Sequence, residues 1–256
     1  GASVGAAAMG AGVLAEAAAS WLMARPCVRA IRRQPDEACA FGSALTERAI
    51  GRFYAPLALT SFLAFFINPL TSFFLARGRL PLESLAVLPV IMGLAFLFRT
   101  AGIALQEVVI ALLGEAGENR AALSRFTKQV AVFSSLALGV VIATPLAGVW
   151  YRTVSGLSPE LSAFAFVPGI LLVFLPLLET AQSYQRAILV RAHRTRPISA
   201  AVAVHLAVTT ALFALCIFVL RMPGAPTIGI ALTAGYAAGN VVLAALRGRL
   251  PAAPAR

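Results

Sequence analysis

LAVLPVIMGLAFLFRTAGIALQEVVIALL, residues Leu85–Leu113, carries only three strongly polar side chains: Arg99, Gln106 and Glu107. A helix of this length is about 43 Å long, more than the roughly 30 Å of a bilayer's hydrocarbon core. The stretch therefore reads as a transmembrane helix with tilt or overhang. Arg99 sits near its middle. A charge at that depth is costly, and such a residue usually faces a partner or a water-filled cavity. Gln106, seven residues on, falls about 20° short of two full turns and shares the Arg99 face, with Glu107 one step round.

The rest of the chain repeats this pattern. Apolar residues make up 60% of it and charged residues 12%, against roughly 45–50% and 25% in an average soluble domain. Seven long apolar segments alternate with polar loops. Polar residues do not recur every three to four positions, as the solvated face of a soluble bundle requires. The pattern predicts an all-α, polytopic transmembrane helical bundle of about seven helices, some of them kinked.

Four regions are expected. Residues 1–24 hold the first segment, rich in Ala and Gly, with Glu16 inside it. Residues 25–52 form a basic cytoplasmic linker. Residues 53–246 form a six-helix lobe, and 247–256 a cytoplasmic tail. Gly1 lies inside an apolar helix with no initiator Met. The first segment is thus expected to be the last helix of a missing N-terminal lobe of the same chain, and the sequence a fragment.

Within the lobe, segment two (Phe53–Ala76) is interrupted by Asn68-Pro69, a kink with Asn, Thr71 and Ser72 near enough to satisfy the freed carbonyls. Segment three is the Leu85–Leu113 stretch. The mixed charges of Gly114–Lys128 suggest a short surface helix. Segment four spans Gln129–Tyr151, with Trp150-Tyr151 suited to an interfacial belt. Segment five spans Leu161–Leu189, with Pro168 and Pro176 as kink points. Segment six spans Ile198–Leu220, and segment seven Thr227–Leu246. The last contains Gly235-Tyr-Ala-Ala-Gly239, a face on which helices can approach closely.

Net charge is +11, and 20 of the 21 basic residues are arginine. In a membrane protein such charge sets topology and contact with anionic lipid, not nucleic-acid binding. Alternate loops hold fifteen basic residues against four: Arg77, Arg79, Arg152 and Arg221. The richer set is placed in the cytoplasm, making this a multi-pass protein of the cytoplasmic membrane with a cytoplasmic C-terminus.

The intramembrane polar residues are the candidate site. Glu179, Gln182 and Arg186 occupy i, i+3 and i+7, one face of segment five. Arg99 could reach Glu179, or Arg186 could reach Glu107. One reading is a polar patch lining a translocation pathway, where a carboxylate exchanges protons and an arginine holds an anionic group. The other is an interhelical salt bridge that fixes packing, with Arg186 snorkelling to the interface. The candidate pathway residues are Arg99, Gln106, Glu107, Glu179, Gln182 and Asn68. Glu16 reads as structural and His205 as a packed histidine.

Enzyme signatures are missing. No GxxxxGK[ST] loop, HExxH pair, paired CxxC or GxSxG elbow occurs, so neither ATP, a metal, another cofactor nor a serine nucleophile is indicated. Cys27, Cys39 and Cys216 have no redox or metal spacing.

Three stretches carry a resemblance. FYAPLALTSFLAFFINPLTSFFLARG (Phe53–Gly78), FLFRTAGIALQEVVIAL (Phe96–Leu112) and FVPGILLVFLPLLETAQSYQRAILVRAHRTRPIS (Phe166–Ser199) resemble the seventh, eighth and tenth-to-eleventh helices of the multidrug/oligosaccharidyl-lipid/polysaccharide flippase superfamily. That superfamily includes the multidrug and toxic compound extrusion (MATE) exporters; the likeness is greatest to its progressive-ankylosis-type branch. The resemblance covers roughly Phe53–Leu246 and implies the C-terminal half of a twelve-helix, two-lobed transporter. It implies a central cavity, alternating access and coupling to H⁺ or Na⁺, with Asn68, Arg99, Glu107 and Glu179 in the pathway. The expected function is a secondary active exporter of a small organic solute, the buried arginine favouring an anionic one. The alternatives are a lipid-linked saccharide flippase of the same fold, and a membrane-embedded enzyme or assembly subunit.

Overall fold

A computed structural model of the chain describes residues 2–32, 51, 54–55, 58, 62–63, 65–114, 117–192 and 194–248. Residues 33–50 of the expected linker, much of the first half of segment two, His193 and the tail from residue 249 lie outside these. The chain divides into two compact units, Gly1–Ile50 and Gly51–Arg256.

The first unit contains helix α1, Ala2–Arg32, with Pro26 inside it. It runs further than the expected segment, taking in Arg25, Arg29 and Arg32 from the region assigned to the linker. The Arg25 guanidinium lies 3.3 Å over the Trp21 ring, one turn back, a cation–π pair at the i, i+4 spacing.

In the second unit the helices are α2 (Ile67–Leu75), α3 (Pro81–Leu112), α4 (Arg120–Ala143), α5 (Pro159–Leu171), α6 (Leu175–Arg191), α7 (Arg196–Ala214) and α8 (Gly224–Gly248). A short turn at Leu146–Gly148 and a wide π turn at Val149–Val154 follow α4. A tight 3₁₀ turn, Leu172–Phe174, joins α5 to α6, and a second π turn, Leu215–Val219, extends α7. Among the described residues, six helical stretches are long and apolar enough to span a membrane: Ala6–Ala30, Pro81–Leu112, Arg120–Ala143, Pro159–Arg191, Arg196–Val219 and Gly224–Leu246. The protein is an all-α polytopic bundle.

The distribution of side chains supports a lipid surround. On α4 the outward row Phe133, Leu136 and Val140 is exposed, while Ser134, Ser135 and Thr127 are buried. In water each such exposed apolar side chain would forgo about 1.5–3 kcal/mol of burial; against acyl chains it forgoes nothing. Helix α6 is the hub. It packs on α3, α4 and α8, and eleven of its seventeen residues are buried, among them Glu179, Gln182 and Gln185.

Three local expectations bear on the helix ends. First, segment two is interrupted just ahead of Asn68-Pro69, as expected. The chain turns at Phe66 and α2 starts at Ile67, so Pro69 falls in a first turn, where its missing N–H costs little. Second, Gly114–Lys128 is not a separate surface helix. Gly114 and Gly117 both have φ of +78°, and from Arg120 the chain runs unbroken into α4. The Asn119 side chain donates to the Leu112 carbonyl at 2.9 Å, tying off the end of α3. Third, segment four stops at Ala143. Tyr151 is only 1% exposed and belongs to the core, while Trp150 donates its indole N–H to Val90 O on α3 at 3.0 Å.

The break before Pro176 follows from chemistry. Proline cannot donate to Leu172 O, and the chain tightens into the 3₁₀ turn at that point. Two neighbours take up freed groups: Thr233 on α8 donates to Leu171 O at 3.0 Å, and Ser135 on α4 accepts from Leu177 N at 3.0 Å. Pro168 lies within α5 without such a turn.

Candidate functional site

Arg99 and Glu179 meet between α3 and α6. Arg99 Nη2 donates to Glu179 Oε2 at 2.5 Å, and their side chains are 12% and 9% exposed. The same nitrogen donates to the Tyr236 hydroxyl of α8 at 2.6 Å. Of the two pairings open in the sequence, this is the one formed. It needs α3 and α6 to approach closely, and Gly102 permits that. A Cβ at Gly102 would overlap Thr180 Oγ1 and come within 3.1 Å of the Thr180 backbone. Gly102 lies one turn beyond Arg99 and Thr180 directly follows Glu179, so this close contact of α3 and α6 sits beside the pair.

Tyr236 joins this pair to a second polar layer. Its ring lies 4.3 Å from that of His205 on α7, which is 3% exposed. Its carbonyl accepts from Asn240 Nδ2 at 2.9 Å. Asn240 Nδ2 also donates to Leu178 O at 3.0 Å, and Asn240 Oδ1 accepts from Gln185 Nε2 at 2.8 Å. Helices α6, α7 and α8 therefore share a polar seam inside an otherwise apolar bundle.

The seam opens on a cavity of about 590 Å³ between α2, α3 and α8. Asn68, Thr71 and Ser72 of α2, Met92, Phe96 and Arg99 of α3, and Tyr236 line it. Arg99 thus presents one side to the cavity while Glu179 and Tyr236 hold the other. A cation in that position can bind an anionic group directly. The carboxylate it releases can then accept a proton.

The expected residues are distributed unevenly. Arg99 and Asn68 line this cavity, and Glu179 sits behind Arg99 as its ion-pair partner. Gln182, 1% exposed, lies a turn deeper on α6. Gln106 is half-buried and Glu107 exposed, and neither lines the cavity. Arg186 is half-buried, and no ion pair to it is found among the described residues. Glu16 is exposed on α1. Tyr236 was not anticipated, nor were Asn240, Gly102 and Ser135. Tyr236 sits inside the Gly235–Gly239 motif, where a phenol in a run of small residues was a legible signal. His205 is packed as expected, but against the tyrosine that holds Arg99.

No family model, curated protein or solved structure matches this chain.

Proposed function

We propose that the protein is a secondary active transporter, an ion-gradient-coupled exporter of a small organic anion. It works by alternating access and belongs to the flippase superfamily that Phe53–Leu246 resembles. The observation that carries this reading is Arg99: a membrane-buried cation that lines a cavity, is neutralised by a carboxylate and donates a hydrogen bond to a phenol. A cavity of about 590 Å³ falls in the size range that holds a small organic ligand. In this reading the substrate's anionic group competes with Glu179 for the Arg99 guanidinium, and the displaced carboxylate takes up the coupling cation, H⁺ or Na⁺. Asn68 and Tyr236 contribute polar groups to the cavity wall. The alternative of a lipid-linked saccharide flippase gains no support from a cavity with a single arginine. The fifteen-to-four imbalance of basic residues favours a cytoplasmic C-terminus in the cytoplasmic membrane.

The test is uptake into proteoliposomes or inverted vesicles under an imposed H⁺ or Na⁺ gradient, using a panel of small carboxylates and phosphates. Arg99→Ala and Glu179→Gln are each expected to abolish gradient-driven flux per molecule of folded protein in the membrane. Full flux in both variants would rule the site out. Loss of folded protein in both would reduce the pair to a packing salt bridge.

A further inference from the structure

Among the described residues, four buried side-chain nitrogen atoms have no hydrogen-bond partner: Arg99 Nε, Gln182 Nε2, Arg186 Nε and His205 Nε2. Three of them belong to residues that do not line the cavity. Gln182 and Arg186 are four residues apart on α6, one above the other on the same face. Gly239 on α8 locates the third group. A Cβ there would lie 3.2 Å from Gln182 Nε2 and 3.5 Å from His205 Cβ, so the two side chains are neighbours across that glycine. Arg186 lies within electrostatic range of His205. Gln182 and His205 are 1% and 3% exposed, so bulk solvent does not satisfy them.

These groups are donors. Gln182 Nε2 and Arg186 Nε can only donate, and His205 Nε2 donates in the tautomer that carries its proton there. The unsatisfied acceptor on the same helix is Gln185 Oε1, and that residue's amide nitrogen is engaged by Asn240. A water molecule can bridge these donors to Gln185 Oε1 but brings no charge, whereas an anion accepts from the donors and carries one. The charges point the same way. Helix α3 contributes Arg99 and α6 contributes Glu179 and Arg186. Helix α7 contributes His205, and α8 the uncharged Tyr236 and Asn240. Arg99 occupies Glu179, which leaves Arg186 without a counter-charge among the described residues. Arg186 is half-buried with its Nε enclosed, and a buried charged donor without an acceptor is costly.

We propose that Gln182, Arg186 and His205 form a binding site for a small monovalent anion of the halide class. Arg186 supplies the charge, and the Gln182 amide and His205 Nε2–H complete the donor set. The site is separate from the cavity at Arg99 and does not depend on what that cavity carries.

To test it, the purified protein is exchanged into sodium gluconate in detergent. Chloride or bromide is then titrated in at constant ionic strength while Tm is followed. Binding to the folded state is expected to raise Tm saturably, on the order of 5 °C at a hundredfold excess over Kd. Arg186→Gln is expected to remove the response. A second measurement needs no variant: crystals soaked in bromide should show an anomalous peak between Gln182, Arg186 and His205. Identical Tm in gluconate and chloride overturns the proposal, as does an equal rise in Arg186→Gln or a bromide map empty at that position. If Arg186→Gln does not fold, the bromide peak in the unsubstituted protein decides.

Discussion

At the scale of the residue, the chemistry turns on one guanidinium. Arg99 costs free energy at membrane depth and recovers part of it through Glu179 and Tyr236. Removing one member of a buried pair is worse than removing both, because the survivor is left charged and unpaired. Arg99→Ala is therefore expected to destabilise the protein by about 3–5 kcal/mol. Glu179→Gln, which leaves a neutral acceptor, is expected to cost less, and Arg99→Met combined with Glu179→Gln less than Arg99→Ala alone. Thermal unfolding of the three in one detergent gives the comparison, and strictly additive effects would show that the pair is not coupled. Tyr236→Phe keeps the ring against His205 and deletes only the acceptor, at an expected cost of about 1–3 kcal/mol. The angular arithmetic also explains Glu107. Eight residues at 100° each place it about 80° past two full turns from Arg99, enough to turn it out of the bundle. Gln106 stays near the Arg99 face but ends beyond the reach of the cavity.

At the scale of the element, close approach between helices fixes the site. Gly102 lets α3 lie against Thr180 of α6, and Gly235 lets α8 lie against His205 and Thr209 of α7. Gly102→Val is expected to push α3 off α6, separate Arg99 from Glu179 and lower Tm by a large margin. Gly148→Ala, where a Cβ meets nothing within 4 Å, is expected to be nearly neutral. If the two variants unfold at the same temperature, the packing argument fails. The break ahead of Pro176 gives a smaller test. Ser135→Ala leaves Leu177 N without its acceptor and is expected to cost about 1–3 kcal/mol in thermal unfolding. These elements were unevenly legible. Long apolar runs gave α3 and the combined α5–α6 stretch closely. They missed the continuation of α4 back to Arg120, because the mixed charges of Gly114–Lys128 read as a separate short surface helix. The helix tolerates them there because its first turns lie where charge can reach water.

At the scale of the whole molecule, the loops divide by charge. The turn with Arg77 and Arg79 adjoins the one with Arg221: Gly224 N donates to Arg79 O at 3.3 Å, and Arg79 pairs with Pro223. Both arginine-poor turns therefore lie at one end of the bundle. Single cysteines placed at Arg79 and at Arg194 in a chain lacking Cys27, Cys39 and Cys216 should label from opposite sides. The Arg194 position is expected to be protected from an impermeant maleimide in intact cells. Labelling of both from outside would overturn the orientation.

The sequence by itself determined that this chain is an all-α membrane bundle, because apolar runs longer than a bilayer is thick have no other stable outcome. It also determined which ionisable groups fall within the apolar helices, though not which of them face the bundle: Glu107 and Glu16 are exposed and Arg99 and Glu179 are not. Only the tertiary structure decided the partners. Pairing Arg99 with Glu179 while Arg186 stays apart from Glu107, bringing Tyr236 to the pair, and setting Gln182 beside His205 depend on which helices are neighbours and at what rotation. Those are set by glycine contacts, a proline break and hydrogen bonds between residues 42 to 137 positions apart, and local pattern does not encode separations of that kind.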